Sequence, residues 1–181
     1  IQIPERSYYK FYATSWDAIY KTLHDLSSFG GKFDGNFFLK DIADEINASA
    51  TTDEEKIKAA VKNIKSVKWN ERKRLTCSPN SLNDLYKKKL GNSADLNIML
   101  IELLEDLDFD VKPVVLSTRD NGILSRVFPS LEKLNYVIAY VKTPEKEYLL
   151  DATDKYIDPL LLPEYCLNYQ GRILTNDLND W

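Results

Sequence analysis

"GNSADLNIMLIELLEDL", Gly91 to Leu107, is the stretch on which the fold turns. Leu96, Ile98, Met99, Leu100, Ile101, Leu103, Leu104 and Leu107 cover most of a helical circumference, so the spacing predicts a central helix packed on several sides. Its start is polar: Gly91, Asn92 and Ser93 precede the apolar run. A helix N-terminus concentrates unpaired backbone N–H groups and the positive end of the dipole, which lowers the pKa of a nucleophile and offers donors to an oxyanion. Position 93 is where such a nucleophile would stand. The plain alternative is that Asn92 or Ser93 is an N-cap, with Asp95 supporting the first turn.

Upstream, "IQIPERSYYKFYA" reads as a short extended lead, after which Thr14 or Ser15 caps a helix. The apolar positions of that helix, Trp16, Ile19, Tyr20, Leu23 and Leu26, follow helical spacing, and Gly30 and Gly31 end it. A second helix is expected over about Phe37 to Ala48. In "TTDEEKIKAAVKNIKSV", Thr52 and Glu55 are spaced as a capping box ahead of a stripe made by Ile57, Ala60, Val61 and Ile64. "SPNSLNDLYKKK" reads as a short helix capped by Ser81, with Lys87, Lys88 and Lys89 at its negative end as a solvated basic terminus.

Downstream the period changes. "VKPVVLST", "LNYVIAYVKT" and "EYLLDAT" read as strands separated by the turn-rich "RDNG" and "TPEK". Helices first and strands afterwards predict an α+β domain: N-terminal helices and a central buried helix packed on an antiparallel β-sheet. The chain of 181 residues fits a single domain, 1–181, able to bury a core without staples.

Composition narrows the partners. With 24 Lys+Arg against 28 Asp+Glu and a net charge of -4, the chain lacks the one-sided basic surface that phosphate neutralisation requires, so nucleic acid is not an expected partner. No run approaches the roughly 18 to 20 apolar residues of a membrane span, and no charged-then-apolar secretion signal opens the chain. Cys77 and Cys166 form neither a metal-ligand spacing nor a disulfide framework; they are one bridge or two buried thiols. No metal or cofactor is expected. The chain starts at Ile1 and stops within "TNDLNDW", which suggests an excised piece of a larger multidomain protein.

The segments "GNSADLNIMLIELLEDLDFDVKPVVLSTRDNG", "LNYVIAYV" and "YLLDATD" occur in the order of a transglutaminase-like domain, and the resemblance covers about Thr52 to Asn168. It implies a papain-like fold in which a cysteine opens the central helix, a histidine on a strand is its base, and an aspartate at the end of the next strand orients that base. Matched position by position, Ser93 stands for the cysteine, Tyr136 for the histidine with Asn135 beside it, and Asp151 for the aspartate. A hydroxyl needs a base to take its proton, and a phenol with a pKa of about 10 is a donor near neutral pH. The resemblance therefore implies a degenerate triad in which Asp151 serves as a structural acceptor for Tyr136 or backbone N–H groups. His24, the single histidine, falls in the first helix and reads as a partly exposed helix residue.

"STRDNG" (117–122) and "LPEYCLN" (162–168) also resemble a bacterial subgroup of exported proteins that carry this core between β-rich flanking domains. The implied location is the periplasm or cell envelope. The expected role is a non-catalytic module for binding or assembly, with a peptide or protein ligand as the partner class. The competing readings are a hydrolase or acyltransferase using Ser93 with Tyr136 and Asp151, and a cysteine enzyme built from Cys77 or Cys166 with His24. Trp69, Asn92 and Asn135 are the cleft candidates, Trp69 being otherwise a core or groove-edge aromatic. Arg119 and Asp120 are read as an ion pair fixing a turn.

Overall fold

The computed structural model describes residues 15–33, 36–175 and 181. The extended lead, Thr14 and most of "TNDLNDW" lie outside the described residues.

Among the described residues, five α-helices precede the main sheet: α1 (Trp16–Asp25), α2 (Phe38–Ser49), α3 (Asp53–Ile64), α4 (Leu82–Lys88) and α5 (Ser93–Asp106). Their starts follow the local chemistry. Ser15 accepts from the Ala18 N–H at 3.1 Å, and Ser81 does the same for Asp84 at 3.1 Å. Thr52 and Glu55 form the capping box that their spacing predicts. Lys87 and Lys88 occupy the last turn of α4, and Lys89 closes it in the left-handed conformation.

One boundary moves. α1 ends at Asp25 rather than at the glycines, because the Leu26 carbonyl turns to accept from the Phe29 and Gly31 N–H groups and so directs Phe29 into the core. Gly30 then passes so close to α1 that a β-carbon there would sit 1.8 Å from the His24 carbonyl oxygen.

Two short strands, β1 (Lys68–Trp69) and β2 (Leu90–Gly91), pair in parallel just ahead of α5. The main sheet holds β3 (Asp110–Leu116), β4 (Tyr136–Lys142), β5 (Glu147–Leu150) and β6 (Gly171–Ile173) in the order β5-β4-β3-β6, antiparallel throughout. The architecture is α+β, with helices on one face of an antiparallel sheet. Strand alternation sorts the side chains. Val111, Val115, Val137, Ala139, Val141 and Leu150 join the helices in the main core. Val114, Leu116, Tyr136 and Ile138 face away, into a second cluster closed by Cys166.

α5 is central because both layers meet on it: it packs against β4 and β3 on one side and α2 and α3 on the other. Residues Ser93 through Leu104 are all buried, which is why the helix is apolar nearly all round. The loop of residues 70–78 crosses its N-terminus, and the segment after β5 meets it one turn further on, at Asn97.

Candidate functional site

The site is built where loop 70–78 meets the start of α5. Asn92 is the N-cap: its side chain accepts from the Asp95 N–H at 2.9 Å, and Asp95 Oδ2 accepts from the Asn92 N–H at 2.8 Å. Asp95 Oδ1 reaches out of this box to accept from the Ser78 N–H at 2.8 Å, and Asn92 Nδ2 donates to the Thr76 carbonyl at 3.3 Å. Gly91 is confined here as well, since a β-carbon on it would meet Leu96 Cδ1 at 2.8 Å.

Ser93 lies under the same loop with 0% of its surface exposed. Its hydroxyl accepts from the Arg74 N–H at 2.7 Å and donates to the Arg74 carbonyl at 3.0 Å. Its backbone N–H donates to the Arg72 carbonyl at 3.1 Å. The helix start expected to offer Ser93 and its N–H to a substrate thus has both engaged by loop backbone. The reason is geometric: a loop laid across a helix end satisfies the end's orphan donors with its own carbonyls.

Tyr136, the first residue of β4, is 0% exposed, and Asp151, just past β5, is 1% exposed. The Tyr136 hydroxyl donates to Asp151 Oδ2 at 2.8 Å. Asp151 Oδ1 accepts from the Thr153 N–H at 2.9 Å and from the Thr153 hydroxyl. Burial, reinforced by the nearby Asp151, raises the Tyr136 phenol well above its ordinary value, so it stays protonated and donates. Tyr165 lies in the same network, its hydroxyl 2.7 Å from Thr153 Oγ1 and 3.3 Å from the Tyr136 hydroxyl. Burial also raises the Tyr165 phenol.

The link from these strands to α5 runs through Asn97, one turn beyond Ser93. Asn97 Nδ2 donates to Asp151 Oδ2 and to the Val137 carbonyl, both at 2.8 Å, and Oδ1 accepts from the Ala152 N–H at 2.8 Å. Ser93 itself bonds neither Tyr136 nor Asp151. Asn97, Thr153 and Tyr165 were not among the residues expected at the site. An asparagine inside an otherwise apolar helix was the available signal for the first.

The remaining candidates separate. Asn135 exchanges hydrogen bonds with Thr118, accepting from its N–H at 2.9 Å and donating to its hydroxyl at 2.8 Å. Asn92 is consumed by the cap, so of the three cleft candidates Trp69 is the one that lines a groove. Arg119 and Asp120 do not pair with each other. Arg119 bonds Glu164 at 2.6 Å and the Leu167 carbonyl at 2.8 Å, while Asp120 pairs with Lys73 at 3.0 Å. These contacts tie three loops together more effectively than a local pair within one turn. Cys77 and Cys166 are two separate, buried free thiols, each pushed to a high pKa chiefly by burial. His24 is exposed on α1. Among the described residues no group of three or more His, Cys, Asp or Glu side chains is arranged to hold a metal ion, and no helix is long and apolar enough to cross a membrane.

The groove has a volume of about 720 Å³ and is lined by residues 65–69 and 153–156 with Glu71, Lys73 and Tyr165. Trp69 and Tyr165 pack ring to ring at 5.9 Å, and the Lys73 ammonium lies 4.6 Å over Tyr165. Tyr165 therefore stands between the groove and the buried Tyr136–Asp151 pair.

No family profile and no curated protein matches the chain. Its fold is similar to that of a solved structure from Parabacteroides distasonis ATCC 8503 described as a "putative protease", at a TM-score of 0.58 and 12% sequence identity. The likeness covers 75% of this chain and 26% of that one. At such identity it concerns the fold alone.

Proposed function

We propose that the chain is a catalytically degenerate transglutaminase-like module that serves binding or assembly within a larger bacterial envelope protein, beside β-rich domains of the same polypeptide. The observation that carries the reading is the state of Ser93: fully buried, with its hydroxyl engaged at both ends by Arg74. Acyl transfer needs a nucleophile, a group that takes and returns its proton, and free donors for the oxyanion. Ser93 has backbone for partners instead of a base, its N–H is held by Arg72, and Tyr136 is a buried donor. The order of helix start, β4 and the residue after β5 supports the transglutaminase-like assignment, and the fold-level likeness is compatible with a papain-like core. Envelope location rests on the sequence resemblance.

Exposure of the protein to an acyl-transfer probe, followed by intact-mass measurement, tests the reading. An unmodified mass is expected. An adduct mapped to Ser93 would support the serine-nucleophile alternative, and one on Cys77 or Cys166 the cysteine alternative.

A further inference from the structure

The groove beside Trp69 departs from the rest of the molecule in charge. The chain carries a net -4, yet Lys65, Lys68, Lys73 and Lys155 line this groove against Glu71 and Asp154. Lys73 is paired with Asp120. Among the described residues no carboxylate pairs with Lys65, Lys68 or Lys155; Lys65 donates to the Ile157 carbonyl at 3.0 Å, and Lys155 sits 4.9 Å over the Tyr156 ring.

A second observation concerns backbone. The N–H groups of Lys68 and Asn70 bond the carbonyls of Lys89 and Gly91 on the β2 side, at 3.0 and 2.9 Å. Alternation turns the N–H and C=O of Trp69 to the opposite edge of β1, where no backbone of a described residue pairs with them. Lys68 and Trp69 line the groove while Leu90 and Gly91 do not, so that open edge lies on the groove side.

Together these features ask for a ligand that is anionic and that carries alternating main-chain donors and acceptors. We propose that the groove binds an acidic peptide segment in extended form, its main chain paired with Trp69 along the open edge of β1 and its carboxylates on Lys65, Lys68 and Lys155. A phosphodiester backbone supplies acceptors only and would leave the Trp69 carbonyl unanswered, whereas a strand answers both groups. The proposal rests on the non-catalytic binding reading and gives it a ligand class.

The test uses fluorescence anisotropy with the whole chain and a labelled short peptide of alternating Glu and Val. Its controls are the same peptide with Gln for Glu and one N-methylated along one edge. The Glu peptide is expected to bind at least about tenfold more tightly than either control, and more weakly as salt rises. Lys68→Glu with Lys155→Glu, both exposed positions, should weaken it by about tenfold or more while the circular dichroism spectrum is unchanged. Equal affinity for the Gln peptide, no effect of the double variant, or tighter binding of polygalacturonate or a single-stranded oligonucleotide would overturn the assignment. Undiminished binding of the N-methylated peptide would remove the strand-edge contact and with it the proposal. Mass spectrometry of the incubated peptide keeps the two readings apart. Cleavage would count against the non-catalytic reading and leave the groove in place, whereas an intact, unbound peptide sinks the groove alone.

Discussion

Ser93→Ala removes one oxygen and thereby reports whether Ser93 is a strap anchor or a nucleophile. The hydroxyl holds the backbone N–H and C=O of Arg74, at 2.7 and 3.0 Å, and bonds no side chain. Two such bonds contribute about 1 kcal/mol each, and the surface position of Arg74 lets water replace part of the loss, so the expected cost is about 1–2 kcal/mol. For a domain of this size that is a drop in Tm of about 2–8 °C. Loop 70–78 should loosen selectively. Amide hydrogen exchange is expected to speed up at Arg74 and its neighbours and to stay unchanged in β3 and β4, since the sheet makes no use of the Ser93 hydroxyl. Urea unfolding and exchange measured on the wild type and the variant give the answer. An unchanged midpoint together with unchanged exchange at Arg74 would refute the strap.

Further outcomes follow from the buried network. Tyr136→Phe takes a donor from Asp151 in a fully buried setting and should cost about 1–3 kcal/mol by urea denaturation, with the fold retained. Asn97→Ala cuts three bonds between α5 and the strands and should exceed it, at about 2–4 kcal/mol. Tyr136 and Tyr165 both have folded pKa values raised above the ordinary 10.0, so their contribution is complete below that pH and is lost as pH rises from there toward the folded values. Unfolding midpoints followed into alkali should fall less steeply for a Tyr136→Phe, Tyr165→Phe variant. Cys77 and Cys166, buried and with raised pKa, should resist a thiol reagent in the native state and both react in denaturant.

The elements legible in the sequence were those with a long period or a strong cap. α5 showed itself through apolar positions on every side, α3 through Thr52 and Glu55, β3 and β4 through β-branched runs, and β5 through the short run "EYLL" after the turn-rich "TPEK". β1, β2 and β6 span two or three residues each, too short for any period to register, and their pairing is set by the loops that carry them. In the structure Ser93 opens α5, Tyr136 opens β4 and Asp151 follows the last residue of β5, with the Tyr136 hydroxyl bonded to Asp151. What the sequence hid was long-range backbone chemistry. Nothing in the residue types of 70–78 announces that Arg72 and Arg74 lie across the start of α5, or that Lys73 seeks Asp120 while Arg119 seeks Glu164. Trp69 was legible as a groove-edge aromatic, whereas Asn92 and Asn135 are polar residues of the same outward character that the fold uses for a cap and a turn.

The central claim, that Ser93 anchors a loop instead of attacking a carbonyl, is tested most directly by turnover. Wild-type protein and Ser93→Ala are incubated with amine donors and with glutamine-containing or other peptide substrates, and product is followed for hours by mass spectrometry. The account predicts no product above the buffer control for either protein. Turnover by the wild type that disappears in Ser93→Ala would contradict it.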